Sequence, residues 1–234
     1  MNIYSLKNVT KRYGENENAV TALDNVSADI RKGAFIVILG ASGSGKSTLL
    51  NILGGIDQCT SGKVLFEKQD LSRYGGKRLT AFRKEKIGFV FQHYNLIANL
   101  TALENVEFAC EISKVDRGRA KDMLGRVGLS HRGDHYPSEL SGGEQQRVSI
   151  ARAIVKNPTV LLCDEPTGAL DVKTGVAVLG ILKTINKEDG ATVVTVTHNA
   201  DICRIADVTV SMRDGRIIEQ KQRGNPNMPD EIDW

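Results

Sequence analysis

Three short strings in this 234-residue chain carry residue types that handle phosphate. Gly40-Ala41-Ser42-Gly43-Ser44-Gly45-Lys46-Ser47 has the form GxxxxGK[ST]. Its glycines let the backbone wrap so that successive N–H groups face a phosphate, and the start of a helix adds partial positive charge. In such a cradle of Gly40, Ser42, Gly43, Ser44 and Gly45, Lys46 would neutralise the β and γ oxygens and the Ser47 hydroxyl is placed to ligate Mg²⁺. Thr48, one residue further into the helix, is a donor for an α-phosphate. A random chain of this composition carries the string in roughly 2% of cases, and here it also follows an apolar run and opens a helical pattern.

The second string, Val160-Leu161-Leu162-Cys163-Asp164-Glu165, is an apolar strand ending in two carboxylates, the strand end at which α/β sheets bind ligands. Asp164 would hold Mg²⁺ directly or through water, and Glu165 would face the attacking water as general base or orienter. Read alone, a carboxylate pair before Pro166 and Thr167 also suits a helix N-cap. The third string, Leu140-Ser141-Gly142-Gly143-Glu144-Gln145-Gln146-Arg147, puts small residues at the head of a helical pattern, where N–H groups and the Ser141 hydroxyl could grip a second phosphate.

These residues need a scaffold that delivers strand ends to one place. Strand-length apolar runs at Phe35–Leu39, Ile87–Phe91, Val160–Cys163 and Thr192–Thr197 alternate with helical patterns at Lys46–Leu53, Ala102–Ile112, Arg117–Val127, Gly143–Val155 and Val172–Lys187. That alternation predicts a mostly parallel α/β sheet. From His93 to Lys156 it stops, leaving three helical patterns and no strand, which reads as a helical insertion. Before Phe35, apolar Leu6, Val9, Val20, Leu23, Val26 and Ile30 flank the polar stretch Gly14–Asn18, which predicts an antiparallel hairpin. The expected organisation is therefore a core of residues 1–92 and 157–223, a helical unit of 93–156, and a loose tail of 224–234.

Composition narrows the class. With 41% hydrophobic and 25% charged residues and a net charge of +3, the chain is a globular domain with no general polyanion character. The local basic run Lys77, Arg78, Arg83, Lys84 and Lys86 reads as a solvated face. Cys59, Cys110, Cys163 and Cys203 are too far apart for a CxxC pair, so reduced, mostly buried thiols and a cytoplasmic setting are expected. No apolar run is long enough to span a membrane.

With all three strings in order, the chain from Leu6 to about Ile218 resembles the ATP-binding cassette of ABC transporters. The resemblance implies a P-loop NTPase, RecA-like core with an antiparallel β subdomain and an inserted α-helical subdomain, with ATP and Mg²⁺ as cofactors. It places Tyr13 at the aromatic residue that stacks on adenine, and Gln92 at the glutamine that touches Mg²⁺ and water and joins core to insertion. Asp171, in Gly168-Ala169-Leu170-Asp171, falls in the loop that crosses to a partner subunit, and His198 at the histidine that contacts the γ-phosphate. Gly168 stands where many relatives have serine, and Cys163 ends the acidic strand; neither disturbs the chemistry. His93, His131 and His135 match no catalytic position and are expected at the surface or in local hydrogen bonds.

The resemblance further implies a head-to-tail homodimer in which ATP is held between one subunit's phosphate loop and the other's Ser141 string. Phe91-Gln92-His93-Tyr94-Asn95-Leu96 and Asn99–Val106 are similar to the bacterial subgroup serving macrolide export, lipoprotein release and bacitracin-type peptide resistance. That implies a separate transmembrane permease with an extracytoplasmic domain, peripheral attachment at the cytoplasmic face, and no nucleic-acid partner. The competing readings are a cell-division cassette signalling through a permease, a cassette ATPase of iron–sulfur assembly, and a small-molecule kinase. The kinase reading leaves the Ser141 string, Gln92 and His198 without a role.

Overall fold

The computed structural model describes residues 1–14, 19–224 and 226–231. Two sheets share one body. The first is antiparallel, ordered β2-β1-β4-β5, from β1 (Asn2–Tyr13), β2 (Val20–Arg31), β4 (Ser61–Phe66) and β5 (Gln69–Asp70). The second has the order β10-β9-β3-β8-β7-β6, built from β3 (Phe35–Leu39), β6 (Ile87–Val90), β7 (Val160–Asp164), β8 (Thr192–Thr197), β9 (Val208–Arg213) and β10 (Arg216–Gln222). All its pairings are parallel except that of β10 with β9.

The central strands are apolar throughout because both faces are covered. On β3, Phe35 and Val37 join a core with α3 (Ala102–Ser113), α4 (Arg119–Arg126), α5 (Gly142–Ile154) and α6 (Val172–Glu188). Ile36 and Ile38 join a second core with α1 (Lys46–Leu53) and the antiparallel sheet. β7 divides the same way, Leu161 and Cys163 against Val160 and Leu162, as the two-residue side-chain period requires. One consequence fixes the site: β3, β6, β7 and β8 run in one direction, so the residues that follow them collect at one end of the sheet.

The expected α/β class and the antiparallel pairing of β1 with β2 are present. Among the described residues between Val90 and Val160 there are helices and no strand. The hairpin's polar stretch lies largely in residues 15–18, outside the described residues.

Three features depart from the sequence reading. The basic run lies on a helix, α2 (Gly76–Lys86), anchored by Leu79 and Phe82. It is not uniformly solvated: Arg83 Nη1 donates to Gly55 O at 2.6 Å, while Lys77 and Arg78 are exposed. β4 and the β9–β10 hairpin extend the two sheets beyond the runs seen in the sequence. The tail is held rather than loose over 226–231, because Pro229 is buried, Asn227 N–H donates to Arg204 O at 2.9 Å and Lys187 Nζ meets Met228 Sδ at 3.4 Å. Residues 225 and 232–234 lie outside the described residues. All four cysteines are free, three of them buried, and no described helix is long and apolar enough to cross a membrane.

Candidate nucleotide-binding site

The phosphate loop leaves β3 and enters α1 through Gly43 (φ 77) and Gly45 (φ 97), left-handed conformations that a side chain would strain. At Gly45 a Cβ would also strike Ala22 O. Gly40 is closed in by Ser44 Oγ and Met212 O, at 2.5 and 2.6 Å from where its Cβ would be. Lys46, 6% exposed, donates to the loop's own carbonyls, Gly40 O at 2.8 Å and Ala41 O at 2.9 Å. One of its three ammonium protons is left for a ligand. Ser44 Oγ is buried and has no hydrogen-bond partner among the described residues, an unspent donor in the phosphate loop.

The two carboxylates at the end of β7 diverge. Asp164 Oδ1 accepts from Ser47 Oγ at 3.1 Å, joining the metal-type ligands of the first two strings. Burial raises the Asp164 pKa above the ordinary carboxylate range, the Ser47 hydrogen bond pulls it back, and neighbouring Glu165 adds to the rise. A cation at this oxygen pair would relieve that strain on the charged form, so the donor set fits a hard divalent ion.

Glu165 has φ 44, uncommon for a side chain with a Cβ, and its N–H is held by Val196 O at 3.1 Å across the sheet. This turn aims its carboxylate at His198, just past β8, with Nδ1 and Oε2 3.1 Å apart. A hydrogen bond here with a carboxylate as acceptor requires the His198 proton on Nδ1. Gln92, two residues past β6, closes the group. A Cβ on Gly168 would sit 3.1 Å from Glu165 Oε2 and 3.3 Å from Gln92 Nε2, so the glycine leaves both side chains room.

Tyr13 ends β1 and donates to Asp57 Oδ2 at 2.7 Å, and the Thr48 hydroxyl also faces its phenol. Burial and then the Asp57 contact push the Tyr13 pKa up. The third string stands apart. Ser141 caps α5 in a reciprocal box: its Oγ accepts from Glu144 N–H at 3.3 Å, and Glu144 Oε2 accepts from Ser141 N–H at 2.9 Å. The Ser141 side chain bonds Glu144 and no residue of the phosphate loop. Hydrogen bonds from Ser141 hold the Glu144 pKa low, and Arg132 Nε adds a 3.0 Å contact. Gly142 lies under Tyr94 Oη, and Gly143 lies against Thr174, where a Cβ would collide with the methyl. Asp171 caps α6, accepting from Thr174 N–H at 3.0 Å.

So Lys46, Ser47, Asp164, Glu165, His198 and Gln92 gather at one end of the parallel sheet, with Tyr13 beside α1, while Ser141 and Glu144 face elsewhere. His135 makes the local hydrogen bond expected of it, with Arg132 Nη1 at 3.0 Å. Sequence reasoning missed Asp57 and Lys11, which hold Tyr13, and Arg152, which donates to Tyr94 O and Asn95 O at 2.9 and 2.6 Å. The paired left-handed residues Tyr94 and Asn95 leave no mark in the sequence beyond the asparagine.

The family model described as ABC transporter matches residues 23–168, which include all three strings. This chain belongs to the ABC transporter ATP-binding family. It is 46% identical over 228 residues to the uncharacterized ABC transporter ATP-binding protein MJ0796 of Methanocaldococcus jannaschii, covering 94% of this chain and 97% of that one. It is 46% identical to the lipoprotein-releasing system ATP-binding protein LolD of Geobacter metallireducens, covering 92% and 98%. The macrolide export ATP-binding/permease protein MacB 1/2 of Paracoccus denitrificans is 45% identical over 94% of this chain, which corresponds to 34% of that longer protein. Among solved structures, the dimeric post-hydrolysis state of the MJ0796 cassette bound to ADP and Pi superposes with a TM-score of 0.88 at 44% identity, covering 95% of this chain and all of that one. The cassette is thus an ABC-type ATPase, the ATP-binding subunit of a transporter.

Proposed function

We propose that two copies of this cassette close head to tail on two ATP molecules and so drive a separate transmembrane permease. The separation of the acidic pair into two partnerships, Asp164 with Ser47 and Glu165 with His198, supports the hydrolytic part of this reading, and the dimeric state of the similar MJ0796 cassette supports the pairing of copies. Tyr13 stacks on adenine, and the N–H groups of Gly40, Ser42, Gly43, Ser44 and Gly45 hold the phosphates with Lys46 and Thr48. Ser47, Asp164 and Gln92 would hold Mg²⁺, which when bound neutralises charge on the phosphates. Glu165 orients the attacking water and takes its proton, while His198 keeps the Glu165 carboxylate aimed and reaches the γ-phosphate.

Ser141, Gly142, Gly143 and Glu144 would present their helix N-terminus to the ATP of the partner subunit, with Asp171 at the crossing loop. Closure excludes water and strengthens every phosphate contact; hydrolysis removes the charge that bridges the subunits and lets them part. The helical unit 93–156 carries that motion to a permease bearing an extracytoplasmic domain, and the cassette sits peripherally on the cytoplasmic face of the membrane. Similarity to MacB and LolD supports export or extraction of an antibiotic, peptide or lipoprotein-like substrate.

Binding and turnover of two variants test the composite site. Lys46→Ala is expected to lose ATP binding itself. Ser141→Arg is expected to bind ATP as a monomer yet hydrolyse at least tenfold more slowly. Wild-type turnover by Ser141→Arg would show that hydrolysis does not need the second subunit's grip.

A further inference from the structure

Tyr13 is 42% exposed at the end of a strand, where an aromatic ring would ordinarily sample several rotamers, yet Asp57 and Lys11 fix it. Its hydroxyl donates to Asp57 Oδ2 at 2.7 Å. Asp57 Oδ1 accepts from Lys11 Nζ at 2.6 Å, and the same ammonium donates to Gln58 O at 2.9 Å. That ammonium lies 4.7 Å from the Tyr13 ring centroid, a cation–π distance, so Lys11 covers one face of the ring. Asp57 is itself held: it follows α1, its N–H bonds Asn51 O at 3.2 Å, and its Oδ1 also accepts from Gln58 N–H at 2.7 Å. The loop carrying it is strapped to β1, Thr60 N–H to Thr10 O at 2.8 Å and Arg12 N–H to Thr60 Oγ1 at 3.0 Å.

Burial opposes the charge on Asp57, but the hydrogen bonds from Lys11, Tyr13 and Gln58 outweigh it and keep the carboxyl below its ordinary pKa. The anchor is therefore ionised across the neutral range. α1 thus holds phosphate ligands at its head, and the loop past its other end sets the ring that meets the base.

We propose that Asp57 and Lys11 are positioning residues for nucleotide recognition: they lock the Tyr13 ring in one orientation with one face covered, so that the other is presented to the adenine of ATP. This rests on the reading that Tyr13 stacks on the base. Ordering the ring before ATP arrives removes a cost that binding would otherwise bear, and the cation over one face draws π density away from the stacking face. The effect belongs to the base and not to the phosphates.

The test measures dissociation constants of the full chain for ATP and for inorganic tripolyphosphate, which has no base. The variants are Asp57→Asn, Lys11→Met, Tyr13→Phe, Tyr13→Ala and the double variant Tyr13→Ala/Asp57→Asn. Asp57→Asn and Tyr13→Phe are expected to weaken ATP binding by about 3- to 10-fold and to leave tripolyphosphate unchanged. In the Tyr13→Ala background, Asp57→Asn is expected to add nothing. If Asp57→Asn weakens both ligands equally, or still weakens ATP once the ring is gone, its role is structural and the proposal fails. If Tyr13→Ala weakens ATP while Asp57→Asn and Tyr13→Phe do not, positioning alone is refuted. If Tyr13→Ala leaves ATP binding unchanged, the stacking reading falls and the proposal with it.

Discussion

At the residue scale the site rests on a difference between two adjacent carboxylates. Asp164 is drawn to a hydroxyl and Glu165 to an imidazole because the backbone turns between them, Glu165 taking φ 44. A general base or water-orienting group is worth typically 10²- to 10⁴-fold, so Glu165→Gln is expected to keep ATP binding and lose at least tenfold in turnover. Steady-state phosphate release with a parallel binding isotherm checks it, and undiminished turnover would remove Glu165 from its role.

The residues legible from sequence are those in contiguous strings, because a cradle built from consecutive N–H groups must be written as consecutive residues. Tyr13, Gln92 and His198 are single residues in ordinary surroundings and were reached only through resemblance. Asp57 gave no signal: a carboxylate after Gly54-Gly55 reads as a turn residue, and its partner Tyr13 is 44 positions away.

At the element scale, caps and buried charges set how firmly the helices stand. Thr101 caps α3 in a reciprocal box with Glu104, its Oγ1 accepting from Glu104 N–H at 3.2 Å. Thr101→Ala is expected to cost about 1 kcal/mol by urea unfolding, with little change in the slope.

Lys156, just past α5, donates to Arg83 O at 2.9 Å at the end of α2, and burial lowers its pKa to about 8. The unfolded chain holds that proton up to the ordinary lysine value of about 10.4, so between pH 8 and that value the unfolded state binds more protons. Lysine's contribution to stability therefore rises with pH through this window, and the full penalty of burying the charge applies below it. Relative to Lys156→Met, the wild type is expected to gain stability from pH 7 to pH 10; parallel profiles would contradict the burial.

Strands buried on both faces were legible because they are uninterrupted apolar runs, as in Phe35–Leu39. β4 was not, since Ser-Gly-Lys at its start pairs with β1 across more than fifty positions and carries little local pattern. α2 has only Leu79 and Phe82 buried among five cations and so reads as a charged surface.

At the scale of the whole molecule, the phosphate loop and the Ser141 string have separate partners. The loop at Lys46 joins Asp164 through Ser47, while among the described residues the Ser141 side chain bonds Glu144 of its own helix cap, and Gly143 stands against Thr174. In the proposed dimer each subunit supplies half of every site, and the similar MJ0796 cassette is a dimer in its ADP-and-phosphate state. The helical insertion was visible in the sequence as a break in strand–helix alternation, whereas the docking of residues 226–231 against α6 was not, because Pro226, Pro229 and polar neighbours carry the composition of a free end.

The most direct measurement is light scattering after size-exclusion chromatography of Glu165→Gln, with and without Mg²⁺ and ATP. The expected result is a mass of 25.5 kDa without nucleotide and twice that, about 51 kDa, with it. A protein that binds ATP to saturation and remains at the monomer mass would contradict the shared site.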